Sequence, residues 1–138
     1  MIKQEIESYI SSLEVNKGRE IKLLHKLIVE AAPQAKLWFL EGKNSLRKVI
    51  ANPNIGYGSC TLPLAGGKSR EFYKIGLSAT SKGISVYIMG IKDKEYLSKT
   101  YSSKIGKTKI TGYCIQFNKL KDINVEELIC AVKTELES

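Results

Sequence analysis

The chain has 138 residues, 43% of them hydrophobic and 26% charged, and its 22 basic against 14 acidic side chains give a formal charge of +8. That balance excludes an intrinsically disordered chain, and the length suits one hydrophobic core. No run approaches the ~20 apolar residues that a membrane-spanning helix needs.

The N-terminal segment mixes Lys3, Glu5 and Glu7 with Ile2, Ile6 and Ile10. It lacks the uninterrupted apolar stretch of a secretory signal and reads as a helix. Ile2, Ile6, Tyr9, Ile10 and Leu13 recur at helical spacing. After a break at residues 15–18, Ile21, Leu24, Leu27, Ile28 and Ala31 do so again. Asn16 is the expected N-cap of this second helix, and Pro33 stops it by pushing Ala32 out of helical geometry. Residues 34–51 give no clear period, because the apolar Trp38, Phe39 and Leu40 run into a polar stretch. A short helix or an irregular segment is expected there.

From Asn52 the pattern changes to strands and turns. Residues 55–62 alternate around Gly56 and Gly58, glycines that bare one face for a close approach to the backbone. A turn at Gly66-Gly67 leads to a second strand over 70–77. Ser81-Lys82-Gly83 then reverses the chain into Ile84–Met89, where period two places Ile84, Val86 and Ile88 on one face and Ser85, Tyr87 and Met89 on the other. Tyr96, Leu97 and Tyr101 suggest a further helix, and Tyr113–Phe117 a further strand. The final helix opens with Asn124 as N-cap and Glu127 as its capping-box partner, and Val125, Leu128, Ile129, Val132 and Leu136 form its buried stripe. Short turns between strands imply antiparallel pairing. The expected fold is α+β over residues 1–138: a two-layer sandwich whose antiparallel sheet, of about four to five strands, is covered by the N-terminal helices and the C-terminal helix.

Several segments together resemble the YdhG-like family of small bacterial proteins, a domain of unknown function. They are Gly56-Tyr57-Gly58-Ser59, Gly67-Lys68-Ser69-Arg70-Glu71-Phe72, Ile75-Gly76-Leu77-Ser78, Ile84–Gly90, Ile105-Gly106-Lys107 and Thr111-Gly112. The resemblance spans roughly residues 5–131, in order. It implies an α+β fold with an antiparallel sheet, a bacterial and cytoplasmic setting and, from some members, a frataxin-like iron-chaperone role. The chain departs from the pattern at Leu37–Lys43, where many relatives carry a Lys-Trp-Gly-like segment, and at Tyr113, where many carry a second Gly-Lys pair.

The residues themselves carry no catalytic signature. His25 is the only histidine and sits in a helical apolar pattern, which suits a satisfied structural residue better than a metal ligand. The acidic group Asp122, Glu126 and Glu127 coincides with a helix N-terminus, where carboxylates complement the dipole. Gly66-Gly67-Lys68-Ser69 resembles the tail of a phosphate loop, but Leu62 stands where the first glycine belongs and a strand follows instead of a helix. Cys60, Cys114 and Cys130 lack Cys-x-x-Cys spacing and read as reduced, packed thiols, in keeping with a cytoplasmic protein.

Two features point to a ligand. Tyr57, bracketed by glycines, and the isolated Arg70 suggest a pocket beside the sheet, completed by Tyr73 and Lys107, for a small anion. Residues 96–121 hold Lys99, Lys104, Lys107, Lys109, Lys119 and Lys121 with no acidic residue. Lys104, Lys107 and Lys109 could hold an anion together with backbone N–H groups freed by Gly106 and Gly112; a solvated lysine loop is the plainer reading. Interleaved Tyr96, Tyr101 and Tyr113 leave nucleic-acid binding open, although no nucleic-acid-binding motif is present. The expectation is therefore a non-enzymatic module for a small anionic ligand, with no resident cofactor and no membrane partner. Iron enters only through the resemblance, and its acidic-surface chemistry suits a charge of +8 poorly.

Overall fold

The computed structural model describes residues 2–137. Two helices, α1 (Ile2–Ser12) and α2 (Val15–Ala31), precede the strands β1 (Leu37–Leu40), β2 (Asn54–Tyr57), β3 (Cys60–Pro63), β4 (Ser69–Phe72), β5 (Ile75–Thr80) and β6 (Gly83–Ile88). Helix α3 (Tyr96–Ile105), strands β7 (Lys109–Ile110) and β8 (Cys114–Phe117) and helix α4 (Val125–Glu137) follow. Six strands form one antiparallel sheet in the order β1-β2-β5-β6-β8-β7, and β3 and β4 form a separate two-stranded ribbon. The fold is α+β, as the strand and helix patterns imply, with more strands than they suggested.

Strand register explains the core. Ile75 pairs with Ile88, Leu77 with Val86 and Ala79 with Ile84; Ile115 and Phe117 then face Val86 and Ile84, and Ile55 and Tyr57 face Leu77 and Ile75. All these side chains lie on one face of the sheet and are buried there together with Ile6, Ile21, Leu24 and Ile28 from the N-terminal helices and Leu128 and Val132 from α4. Strand β6 is central, and Ile84, Val86 and Ile88 point into this core as period two requires.

Local expectations fare unevenly. Helix α2 starts at Val15 and not after Gly18, and its cap is Glu14, whose carboxylate accepts from the backbone N–H groups of Asn16 and Lys17 at 3.0 and 3.1 Å. Those two bonds hold the Glu14 carboxyl below its ordinary value. Asn124 caps α4 through its side chain, which accepts from Glu127 N at 3.2 Å, while its own N–H goes to Ile105 O. The buried stripe of α4 runs through Leu128, Ala131, Val132 and Glu135. Cys130 lies off that stripe and is exposed, unlike the packed thiol expected; Cys60, Cys114 and Cys130 are all free. The segment expected to be irregular contains β1. Its four residues do not alternate in burial, because Leu37 and Phe39 pack toward the helices while Trp38 is held on the other face by a bond from its indole N–H to Gly58 O at 2.7 Å.

The two long strands expected at 55–62 and 70–77 are each interrupted. Cys60 pairs with Phe72 and Tyr57 with Ile75, so one hairpin register runs through both the sheet and the ribbon. At Gly58 the backbone takes φ +71, a left-handed conformation that lets the strand kink, and the ribbon leaves the sheet there. Tyr73, at the opposite kink, folds back over the sheet face that carries no helices. Gly56 and Gly76 are directly paired across β2 and β5 and form the floor beneath it. A Cβ at Gly56 would stand 2.7 Å from Tyr73 Cβ, and one at Gly76 would stand 2.7 Å from Tyr73 Cε1. The close approach implied by the bare glycine face is made by Tyr73, 5% exposed.

Overpacking of this kind costs about 1–3 kcal/mol. Gly76→Ala should destabilise the protein by that amount in urea titration. The loss should fall to a few tenths of a kcal/mol, roughly, in a Tyr73→Ala background, since only contacting residues couple in a double-mutant cycle.

Candidate functional site

On the helix-free face, the chain forms two different surfaces. Over β1, β2 and β5 the ribbon and Tyr73 make an aromatic cap. Phe72 and Tyr73 rings lie 4.2 Å apart and Trp38 packs edge-on to Phe72 at 6.1 Å. Lys36 Nζ sits 4.3 Å over the Trp38 ring and the Arg70 guanidinium 4.5 Å over Phe72, which places both cations on the negative faces of the rings. Lys36 also meets Glu71 at 3.2 Å.

Over β6, β8 and β7 the same face is open. A groove of about 320 Å³ is lined by Thr80, Lys82, Ser85, Tyr87, Lys109, Thr111, Tyr113 and Gln116 among others, and no carboxylate lines it. A neighbouring cavity of about 260 Å³ shares Lys82, Lys109 and Gln116 and adds Lys107 and Asp122. The positions follow from topology: β8 pairs with β6 on one side and β7 on the other, and Lys109 pairs with Gln116. Lys82 in the β5–β6 turn therefore comes beside Lys107 and Lys109, although more than twenty positions separate them in the chain. Tyr87 and Tyr113 stack at one end with ring centroids 6.1 Å apart and planes 18° apart, and Tyr113 is 55% exposed.

The structure does not bring Tyr57, Arg70, Tyr73 and Lys107 into one pocket, and that expectation is corrected. Tyr57 faces the helices, 1% exposed, with its hydroxyl 2.7 Å from His25 Nδ1; Tyr73 is on the opposite face and Arg70 is on the ribbon. A residue bracketed by glycines is a core residue here because the glycines serve Tyr73 and the kink, not the side chain between them. The three lysines of the loop also separate. Lys107 and Lys109 reach the open face, whereas Lys104 is in the last turn of α3 and lines neither cavity. Gly106 is packed beside Asp122 and Ile123 and Gly112 beside Lys94, so the two glycines do not frame one cradle. The Lys107 N–H is spent on Asp122 O at 3.1 Å.

Lys82 was not singled out by sequence, since a lysine in a hairpin turn is ordinary and only the β6–β8 pairing gives it neighbours. Glu135 was missed as well. It is 2% exposed on α4, and one of its oxygens accepts from the Tyr96 and Tyr101 hydroxyls at 2.6 and 2.7 Å. Burial pushes Tyr101 up, and the hydrogen bond to Glu135 adds to it. His25 is half-buried, and burial lowers its value. Among the described residues, no group of three or more His, Cys, Asp or Glu is placed to hold a metal ion, and no helix is long and apolar enough to cross a membrane.

Fold and site thus define an open-faced antiparallel α+β domain with a basic, hydroxyl-lined groove. Compared with protein-family models, curated proteins and solved structures, the chain matches none. The YdhG-like resemblance rests on the quoted residues alone.

Burial pushes the Tyr73 phenol from 10.0 up to about 12, with Tyr87 and Cys114 nearby adding to the effect, and Tyr57 is raised in the same direction by burial. A folded value above the unfolded one means that the folded state holds the proton more tightly. The associated stability is complete below about pH 10 and is lost as pH rises through about 12. Urea midpoints should therefore fall steeply over that window, and Tyr73→Phe should flatten the fall by up to about one proton. An unchanged pH slope in that variant would contradict the placement of the Tyr73 hydroxyl.

Proposed function

We propose that the protein is a non-enzymatic binding module for a small anionic ligand, which it takes up in the groove over β6, β8 and β7. The observation that carries this reading is the convergence of Lys82, from the β5–β6 turn, and Lys109, from strand β7, on a floor of Ser85, Gln116 and Thr111 without a lining carboxylate. Lys107 extends the positive rim into the adjoining cavity, and Asp122 limits it there. Ammonium groups attract the anion as point charges, while hydroxyl and amide groups supply the hydrogen bonds that replace its water. The overall charge of +8 adds long-range attraction for such a ligand.

A second reading, association with single-stranded nucleic acid, is favoured by one feature: the exposed Tyr113 ring, stacked on Tyr87 beside Lys109. Such rings stack bases while lysines meet phosphates. The iron-chaperone role implied by the YdhG-like resemblance has no comparable support, because the groove presents ammonium groups and not a carboxylate set.

Phosphate or sulfate should raise the melting temperature above chloride at matched ionic strength. A ligand at 100-fold its Kd adds roughly 2.7 kcal/mol, which amounts to several degrees for a domain of this size. General salting effects act on every variant alike. The comparison that decides is therefore Lys82→Ala with Lys109→Ala, which should abolish the phosphate-specific increment, against Lys104→Ala, which should keep it. Equal increments in all variants would overturn the reading. A Tyr113→Ala loss confined to oligonucleotides, with affinity falling steeply in salt, would favour the second reading.

A further inference from the structure

A cavity of about 570 Å³ lies on the other side of the sheet, between α1 and α2 at the edge formed by β1. Its volume falls within the roughly 300–1,000 Å³ of small-molecule sites. Ile6, Ile10, Val29 and Leu37 give it an apolar bed, and Lys3, Lys22 and Lys26 stand on its rim against one carboxylate, Glu7. His25 also lines it.

The imidazole has a defined polarity. The Tyr57 hydroxyl is buried and has no hydrogen-bond partner among the described residues other than His25 Nδ1, 2.7 Å away, so its proton is directed at that nitrogen. A neutral imidazole that accepts at Nδ1 carries its proton on Nε2. Nε2 has no hydrogen-bond partner, yet it is not among the buried unsatisfied atoms of the described residues, so it keeps access to the groove or to solvent. The cavity therefore combines one fixed N–H donor, a predominantly cationic rim and an aliphatic bed.

We propose that this cavity is a second binding site, for a medium-chain aliphatic monocarboxylate: the carboxylate accepts from His25 Nε2–H and is held by Lys22 and Lys26, while the chain lies along Ile6, Ile10, Val29 and Leu37. A purely apolar ligand would leave the imidazole donor unmet, and a compact polyanion would leave the aliphatic bed in water. An amphiphile with one negative end satisfies both. The open-face groove lies across the sheet, and this site does not depend on the reading given to it.

The test is calorimetric titration of the full chain with hexanoate, octanoate and decanoate below their micelle thresholds, with decanol as the neutral control. Each added methylene buried is worth about 0.8 kcal/mol, so affinity should rise roughly fourfold per methylene until the bed is filled. Lys22→Glu with Lys26→Glu changes only exposed side chains; it should weaken decanoate at least tenfold and leave decanol unchanged. His25→Gln removes the donor and should weaken decanoate as well, but it disturbs the Tyr57 bond, so the lysine pair decides if that variant unfolds. Lys109→Ala should leave decanoate binding intact, which separates this site from the groove on the other face. Affinity independent of chain length, decanol binding as well as decanoate, or charge-reversed variants with wild-type affinity would each overturn the proposal.

Discussion

The Tyr73 ring lying across the Gly56–Gly76 pair is the contact on which the rest of the helix-free face depends. Two glycines directly opposite one another remove every side chain from a patch of β2 and β5, and such a patch is weak unless something covers it. The ring does so, and the kink at Gly58 lets the ribbon fold back far enough for Phe72 and Trp38 to close over the same region. Tyr73 is thereby buried, and Phe72 and Trp38 are half-buried around it. The remaining part, over β6, β8 and β7, has no such cover, and hydroxyls, amides, lysines, a thiol and the stacked Tyr87 and Tyr113 rings line it.

The opposite layer follows a different logic. Apolar side chains from six strands and four helices fill it, and several buried polar side chains among them are hydrogen-bonded. Tyr9 accepts from Ala79 N at 2.9 Å, Tyr57 meets His25, and Glu135 accepts from two tyrosines. A buried carboxylate is costly unless it is hydrogen-bonded, and the paired phenols meet that need. These contacts also tie distant stretches together: Glu20 on α2 accepts from Leu120 N, one hundred positions away.

Much of this was legible in the sequence, and the limits are physical. Strand β6 could be read because one of its faces is apolar and the other is not, so burial leaves a period-two trace. Asn124 could be read because capping is local chemistry. Strand β1 left no trace, since Trp38 on the helix-free face is as apolar as Leu37 and Phe39 on the other. The kinks at Gly58 and Tyr73 were invisible as breaks, because the hairpin register continues across them. The misplacement of Tyr57 has the same origin: glycines flanking a residue say that the backbone is approached, not by what or from which side. Lys82 became a candidate only when β8 was seen to lie between β6 and β7, a non-local pairing that no short window of sequence records.

The sheet ends on one side in β7, a strand of two residues that begins with Lys109. An exposed edge invites another chain to continue the ladder, and a short edge marked by lysine is a recurrent way of discouraging that. A second copy adding itself here would gain backbone bonds along only two residues and would have to bring its own positive surface against this one. The lysine that borders the open groove therefore also guards the domain against growing into a longer sheet.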